Sequence, residues 1–524
     1  MSEYDICIIG GGISGLYTAY KLINKGYNII LLEGSSRFGG RIHTYKTKEY
    51  LYEMGAGRIC ETNKYLMKLI NELNLNDKLH ELSHENKIVL KNKNIKDPQV
   101  YKYLKKIIDG SKMYTKKYLI SINFLQLCIN ILGFEKACDL RSMLAYDSEF
   151  NNLNAYACLK MYKNDLLIKN KYYILTCGLE VIIEKIIEKI SPFVKLNQNA
   201  FVKEISERSL KYTRNEQNHS IHFKKCISCI PVNDLCKIQS FKDMYLKDKI
   251  KAVPLLRIYA KYPLQNGKVW FHDLPRVITD NYIRFIIPID PKNGIIMISY
   301  TDSMYAEMWN NMSKNGNKCL YSELHDQIKN ILNINPPKPI FIRSYYWNEG
   351  FHNWNPSYDM NKEYNLLCKP FENKEIYLCN ESFSKKQGWI EGCLEMSHDI
   401  LRLMNNEQKG GKKDKIPIFK SLDEIIKKKN WIIFKRGKKL KIYDVSKWLS
   451  RHPGGTSALK EGIKANNFYY KMGKDPKYPK SPIQVFNEIT SHKRSDVLNT
   501  YLPIKYNIEN EKSGVSLVGL FKIK

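Results

Sequence analysis

The chain has 524 residues, 43% hydrophobic and 26% charged, with a net charge of +31. That length excludes one simple core and points to two or three domains of a soluble globular protein. The lysines are spread along the whole chain, beside the abundant Asn, Ile and Tyr that AT-rich coding produces. No helix-turn-helix, zinc-finger or RNA-recognition signature accompanies them, so specific nucleic-acid binding is not expected. The thirteen cysteines are scattered and odd in number. A strand pattern starts within four residues of Met1 and leaves no room for a signal peptide, so reduced thiols in a cytoplasmic protein are expected. The longest apolar stretch, Tyr118–Phe134, carries Asn123, Gln126 and Asn130. It reads as a buried helix rather than a membrane span.

In chain order, an apolar strand over Tyr4–Ile9 runs into Gly10-Gly11-Gly12-Ile13-Ser14-Gly15 and then a helical pattern through Ala19, Leu22 and Ile23. This is G-x-G-x-x-G between a strand and a helix. Gly10 serves the tight turn, Gly12 lets a pyrophosphate approach the backbone, and Gly15 lets helix and strand pack closely. The N–H groups opening the helix at Ile13 and Ser14 favour phosphate charge. A second strand, Asn28–Leu32, ends at Glu33, eighteen residues after Gly15, where an acid hydrogen-bonds a ribose hydroxyl. Strand, helix, strand and acid in this order predict a dinucleotide site.

Glu33 is followed by Gly34-Ser35-Ser36-Arg37-Phe38-Gly39-Gly40-Arg41, and later by Tyr52-Glu53-Met54-Gly55-Ala56-Gly57-Arg58-Ile59. Here the sequence resembles the flavin-dependent amine oxidase superfamily, which includes monoamine, polyamine and L-amino-acid oxidases and protoporphyrinogen oxidase. The resemblance implies FAD. Gly39, Gly40 and Arg41 would run along the pyrophosphate, with Arg41 making a two-pronged contact. Gly57 and Arg58 would pass close to the flavin ring. No counterpart of the cysteine that tethers flavin in monoamine oxidases is seen, so the FAD is expected to be non-covalent.

The resemblance continues in pieces. Tyr173–Leu179 precedes an amphipathic helix through Ile183, Ile186, Ile187 and Ile190, and Val194–Ile205 reads as two short strands, with Val202 at the adenine. Cys226-Ile227-Ser228-Cys229 leads into a proline turn and reads as two buried cysteines; a redox dithiol would need an exposed helix start. Family members carry a lysine beside flavin N5, holding a water. The matching stretch, Leu255–Pro263, offers Arg257 at that place, or Lys261 on a shifted alignment. The closing motif is Ile376–Ser382 followed by Gly388-Trp389-Ile390-Glu391-Gly392. It implies Glu381 and Ile390 at the cofactor, a helix start aimed at the flavin, and Trp389 in the substrate wall. The family's Gly-Glu is Asn380-Glu381 here. Two insertions, 86–172 and 241–364, would form the substrate domain. The second holds Tyr345, Tyr346, Trp347, His352 and Trp354, which suit either a cation–π cage or plain core packing.

Beyond a lysine-rich linker at 405–420, Trp431–Phe434, Lys441–Leu449 and His452-Pro453-Gly454-Gly455 resemble the cytochrome b5 haem-binding domain. The resemblance implies haem b held by His452 and, forty residues on, His492. The expected architecture is α/β. A Rossmann-type FAD-binding domain (about 1–85, 173–240 and 365–404) carries an inserted α+β substrate domain (about 86–172 and 241–364). A small α+β cytochrome b5-like domain (421–508) and a tail (509–524) complete the chain. The expected function is oxidation of a small-molecule amine by hydride transfer to flavin, with the haem domain or another electron-transfer partner taking electrons. Two alternatives stay open: a bulky non-amine substrate, as for protoporphyrinogen or carotenoid oxidoreductases, and a non-catalytic basic structural flavoprotein.

Overall fold

The Ile- and Leu-rich runs near the N-terminus become strands buried on both faces, as a parallel sheet requires. The computed structural model describes residues 2–96, 99–165, 170–314, 316–409, 431–436, 439–444 and 516–522. Its first sheet centres on Ser2–Ile9, which pairs in parallel with Ile29–Leu32 on one side and Gln217–Ser228 on the other. Val194–Asn197 extends the sheet beyond Ile29–Leu32, and Ile376–Leu378 joins Gln217–Ser228, both in parallel. Two antiparallel strands, Ser209–Arg214 and Ala200–Ile205, complete it. The register sets Ile9 against Leu32 and Ser228, and Ser228 against Leu378. Five parallel strands therefore end at one edge, and Gly10, Glu33, Gln198, Cys229 and the chain toward Asn380 leave there together. In open α/β sheets that edge is where ligands bind. Helices Ile13–Leu22 and Glu180–Ile190 pack against each other through the Ile182, Ile183 and Ile186 stripe.

A second sheet is built from the two insertions. Its order is Phe341–Trp354, Ile250–Lys261, Ile295–Asp302, Phe285–Asp290, Arg276–Thr279, Asn86–Leu90, Lys93–Asn94. Helices Ser303–Lys314 and Asn317–Leu332 bury Trp309, Leu320, Leu324 and Ile328 with its strands. Pro254 sits inside the second strand and has no N–H to give its neighbour. The pairing accordingly slips: Val253 lies opposite Phe351, but Leu255 lies opposite Trp347. The extra residues Asn348, Glu349 and Gly350 bulge out of the ladder, as bulges beside sites do.

Tyr118–Phe134 differs from expectation. It forms two helices, Lys116–Ser121 and Phe124–Leu132, because the Asn123 side chain caps the second by accepting from the Gln126 N–H. Tyr118 and Phe134 are exposed; Phe124, Leu127 and Cys128 are buried. A further small sheet joins Ile59–Cys60, Tyr172–Leu175 and Leu79–Glu81.

The chain divides into two units, Met1–Arg402 and Leu403–Lys524. The expected start of the linker at 405 is helical, since Ile390–Lys409 continues past Asn405 and Asn406 through Glu407, Gln408 and Lys409 up to the Gly410-Gly411 pair. In the second unit Trp431–Arg436, Lys439–Asp444 and Ser516–Lys522 form an antiparallel sheet. Residues 516–522, expected in a tail, are thus its third strand. His452 and His492 lie outside the described residues. Among the described residues, no helix is long and apolar enough to cross a membrane.

Candidate active site

At the shared strand edge lies a cavity of about 910 Å³. Gly10 has φ +100°, and a Cβ there would sit 3.0 Å from Ile230 Cγ2. A Cβ on Gly15 would run into the Gly10 carbonyl oxygen, so Gly15 serves packing and does not line the cavity. Gly12 is different: a Cβ on it would meet nothing nearer than Gly40 Cα, at 3.9 Å. The helix opening at Ile13 has no side-chain cap, leaving its first N–H groups for a ligand. Glu33 Oε2 accepts from the Gly11 N–H at 2.6 Å, and Oε1 accepts from the Ser35 N–H and hydroxyl at 2.8 and 2.7 Å. A carboxylate has about four acceptor positions, so one stays open to a hydroxyl. Val202 and Phe201 line the cavity near Glu33, whose carbonyl accepts from the Ala200 N–H. An uncapped helix, an open glycine and a part-used acid fit a dinucleotide.

Arg41 lines the same cavity, where a two-pronged phosphate contact was expected. Its Nη1 donates to Glu381 Oε2 at 2.7 Å and to the Gly350 carbonyl at 3.2 Å. Glu381 in turn is fully engaged. Oε2 also accepts from His352 Nδ1 at 2.8 Å, and Oε1 from the His352 and Gly388 N–H groups at 3.1 and 2.6 Å. All four acceptor positions are used, so Glu381 orients Arg41, His352 and the turn at Gly388. Burial pushes its carboxyl up, but the charges of Arg41 and His352 outweigh that and hold it at about 2. His352 is buried between Glu381 and Glu349, its Nε2 lying 3.3 Å from Glu349 Oε2. Burial lowers the imidazole pKa, and the two carboxylates more than restore it, so the net shift is upward. Asn380, where a glycine was expected, has extended backbone and needs no special freedom. Its amide donates to the Cys229 carbonyl at 2.7 Å, and its oxygen caps the turn at the Ser382 N–H.

The other part of the cavity is lined by Gly57, Arg58, Arg257, Tyr300, Trp347 and Trp389. Arg257 Nη1 donates to the Glu53 carbonyl at 2.8 Å, and its guanidinium lies 5.0 Å from the centre of the Tyr300 ring. Lys261 lies further along the same strand. It sits 3.3 Å from Glu49 and does not line the cavity, so of the two positions only Arg257 reaches it. Arg58 Nη2 donates to the Tyr146 hydroxyl at 2.8 Å. Trp389 stacks on Tyr172, and Ile390 follows it in the wall, at the start of the closing helix. The five-aromatic cluster is divided. Trp347 lines the cavity and donates to the Met54 carbonyl, His352 lies behind it, Trp354 is core, half-buried Tyr346 packs on the core of the second sheet, and half-buried Tyr345 meets the stacked pair Tyr52 and Tyr259 at tilted and edge-on angles. Cys226 and Cys229 are buried free thiols.

Four participants were not singled out by the sequence: Glu53, inside the quoted motif, and Tyr146, Arg276 and Tyr300, outside any motif. Burial pushes Glu53 up to about 7 against hydrogen bonds from the Leu179 N–H and Thr44 hydroxyl and the charge of Arg257. Tyr300, Tyr146 and Arg276 come from strand register and helix packing. The facing pair Arg257 and Tyr300 was the one signal available, and it becomes visible only once those strands are aligned.

Comparison with known proteins agrees with this geometry. Residues 13–397 match the family described as flavin containing amine oxidoreductase. A Dictyostelium discoideum protein named as a probable flavin-containing monoamine oxidase A is 40% identical over 70 residues, 13% of this chain and 15% of that one. An L-amino-acid oxidase of Crotalus adamanteus is 36% identical over 81 residues, 16% of this chain and 15% of that one. The aligned stretches thus span only about a seventh of these relatives. Putrescine oxidase, solved as a wild type bound to putrescine, superposes with a TM-score of 0.62 at 14% identity, covering 77% of this chain and 99% of that one. That likeness concerns the fold. The match over most of its length shows that the chain belongs to the flavin containing amine oxidoreductase family.

Proposed function

We propose that the protein is an FAD-dependent oxidoreductase that removes a hydride from a carbon beside an amine nitrogen. One observation carries this reading: a single cavity joins the uncapped glycine-rich helix start to the part lined by Arg257, Tyr300, Trp347 and Trp389. FAD, when bound, supplies the hydride acceptor. Gly12, Glu33 and the N–H groups of Ile13 and Ser14 hold its pyrophosphate and ribose. Gly39, Gly40 and Val202 shape the walls beside them. Arg41, Glu381 and His352 fix the loop that carries Gly350 and the turn at Gly388. Trp347, Tyr300 and Trp389 exclude water and set the substrate face, so that the reacting carbon is oriented when it arrives. Arg257 keeps a permanent charge where the family's lysine would stand, and the Tyr300 hydroxyl, raised chiefly by burial, keeps its proton. The positive end of the helix starting at Ile390 favours negative charge in the cavity.

The experiment is anaerobic reduction of the purified flavoprotein, followed by visible absorption. Bleaching of the flavin bands by an amine supports the reading. Bands that no amine bleaches, but a bulky non-amine does, would favour the alternative that Arg257 in place of lysine already raises. We further propose haem b on His452 and His492. Its support is the His452-Pro453-Gly454-Gly455 sequence and the Trp431 and Tyr443 strands before it. A b-type band in the same spectrum tests it.

A further inference from the structure

Phe341–Trp354 is the end strand of the second sheet and has 14 residues, where an ordinary strand has about 5–6. Ile250–Lys261 pairs with one side of it. Among the described residues, no strand pairs with the other side, and no further backbone hydrogen bond reaches Phe341–Trp347. Alternate N–H and C=O groups of this stretch therefore face outward unbonded. Proteins guard such edges with lysine, proline, charge or a bulge. Here the guards stand only at the two ends: Pro336, Pro337 and Pro339 before the strand, and the bulge at Asn348, Glu349 and Gly350. Between them runs Phe341-Ile342-Arg343-Ser344-Tyr345-Tyr346-Trp347, with one charge. Arg343 does not screen the edge. Its guanidinium lies 4.7 Å from the centre of the Tyr45 ring and 4.6 Å from that of Phe341.

The stretch is complementary to itself. Phe341 and Tyr345 pack with tyrosines on one face, and Ile342 and Tyr346 pack on the core of the other. Two copies joined antiparallel by a two-fold axis through the sheet show the same face on the same side. Opposed residues are then alike in face, and the unguarded stretch is used in full when Ser344, its midpoint, lies on the axis. Ile342 comes to stand opposite Tyr346 of the other copy, Arg343 opposite its Tyr345, and Phe341 opposite its Trp347. These are a β-branched–aromatic pair, a cation–aromatic pair and an aromatic pair, each favourable across strands and each made twice. Like charges are not opposed.

We propose that the chain forms a two-fold dimer in which a second copy adds its Phe341–Trp347 edge antiparallel to this one, with Ser344 on the axis. The other end of the sheet is the two-residue strand Lys93–Asn94, short and lysine-bearing, so the contact closes at two copies. Trp347 lines the cavity and ends the joined stretch, so Phe341 of each copy backs a cavity wall of the other. The association needs no FAD and stands apart from the flavoenzyme reading.

The test follows the mass of the full chain by sedimentation at rising concentration, with hydrogen exchange on the same samples. The mass should climb from 61.5 kDa to twice that and stop. Amides within Phe341–Trp347 should exchange at least about tenfold more slowly as the dimer fills. Ser344→Lys sets like charges against each other on the axis and should weaken self-association by at least about tenfold. Ser344→Cys covers the case in which the lysine variant does not fold. It is made in a Cys319→Ser background, which removes the exposed native thiol. A short bismaleimide should link its two copies and should not link the Cys319→Ser protein alone. A monomer at every concentration, assembly continuing past two, a folded Ser344→Lys that associates as before, or a Ser344→Cys protein that does not link overturns the proposal. Protection of Phe341–Trp347 in a monomer would mean that a segment of the same chain covers the edge, and overturns it too.

Discussion

Adding one methyl group to Gly12 and to Gly15 should have opposite consequences. Gly15→Ala collides with the Gly10 carbonyl, so the strand–helix unit must shift, at a cost of about 1–3 kcal/mol typical of overpacking. Gly12→Ala meets open cavity, so thermal stability of the FAD-free protein should be unchanged while FAD affinity falls. Melting of the FAD-free protein together with flavin titration checks both. Glu53 sets a pH dependence. Its folded pKa of about 7 lies above the ordinary 4.5, so its contribution is full below pH 4.5 and is lost as pH rises through 7. Asp302, raised by burial and then by Asp147 from 3.8 to about 7, acts in the same direction. His352, also raised, loses its contribution as pH climbs past its folded pKa. Melting temperature should therefore decline from pH 5 to pH 8, and Glu53→Gln should make the decline shallower. A slope unaltered in Glu53→Gln would show that Glu53 is not its source. The residues that could be read from sequence are those whose role is local. Gly10, Gly12 and Glu33 act within one strand–helix–strand unit. Arg41 could be placed at the cavity but not assigned its partner, because Glu381 is 340 residues away in the chain.

At the scale of elements, the departure at Pro254 shapes the site. A proline inside a central strand contradicts regular pairing, and the sheet answers by extruding Asn348, Glu349 and Gly350 toward the cavity. Gly350 lies against the Leu255 side chain, and its carbonyl accepts from Arg41. Gly350→Ala should cost about 1–3 kcal/mol in denaturant unfolding and lower flavin occupancy, because the bulge and the Arg41 contact move together. Unfolding and flavin content measured on the same preparation check this; a stable variant with full flavin would separate the bulge from the site. Ser2–Ile9, Ile29–Leu32 and Ile376–Leu378 of the first sheet were legible because they are short, largely apolar and followed by turn or motif residues, whereas Ser209–Arg214 and the polar start of Gln217–Ser228 carry no such signal. The second was legible only as an aromatic-rich insertion. Its register puts Arg257 against Tyr300 and Tyr345, and register follows from where the whole sheet closes rather than from any one strand. Likewise Tyr118–Phe134 looked continuous by hydropathy, and a side-chain cap at Asn123 divided it.

At the scale of the whole molecule, the family match covers residues 13–397, and the haem proposal rests on the His452-Pro453-Gly454-Gly455 sequence and the Trp431 and Tyr443 strands. If His452 holds haem, His452→Ala should abolish a b-type absorption band and leave the flavin spectrum intact; a band that persists would remove His452 as the ligand. Membership in the family was legible because its motifs keep short, fixed spacings around the cofactor. The chemistry of the reacting end was not, because Arg58, Tyr146, Arg276 and Tyr300 come from four separate stretches. The clasp on Glu381 has one more consequence, in time rather than space. Its donors come from residues 41, 352 and 388, and the parallel strand beside Gln217–Ser228 arrives only at Ile376–Leu378. A ribosome makes about 5–20 residues per second, so the fingerprint is finished many seconds before its cavity can close. Once Ser228 has been made and until Ile376–Leu378 follows, the nascent chain carries an unpaired, apolar edge at Cys226–Ser228, open to any passing strand. The last strand to be synthesised in this sheet is thus also the one that seals it.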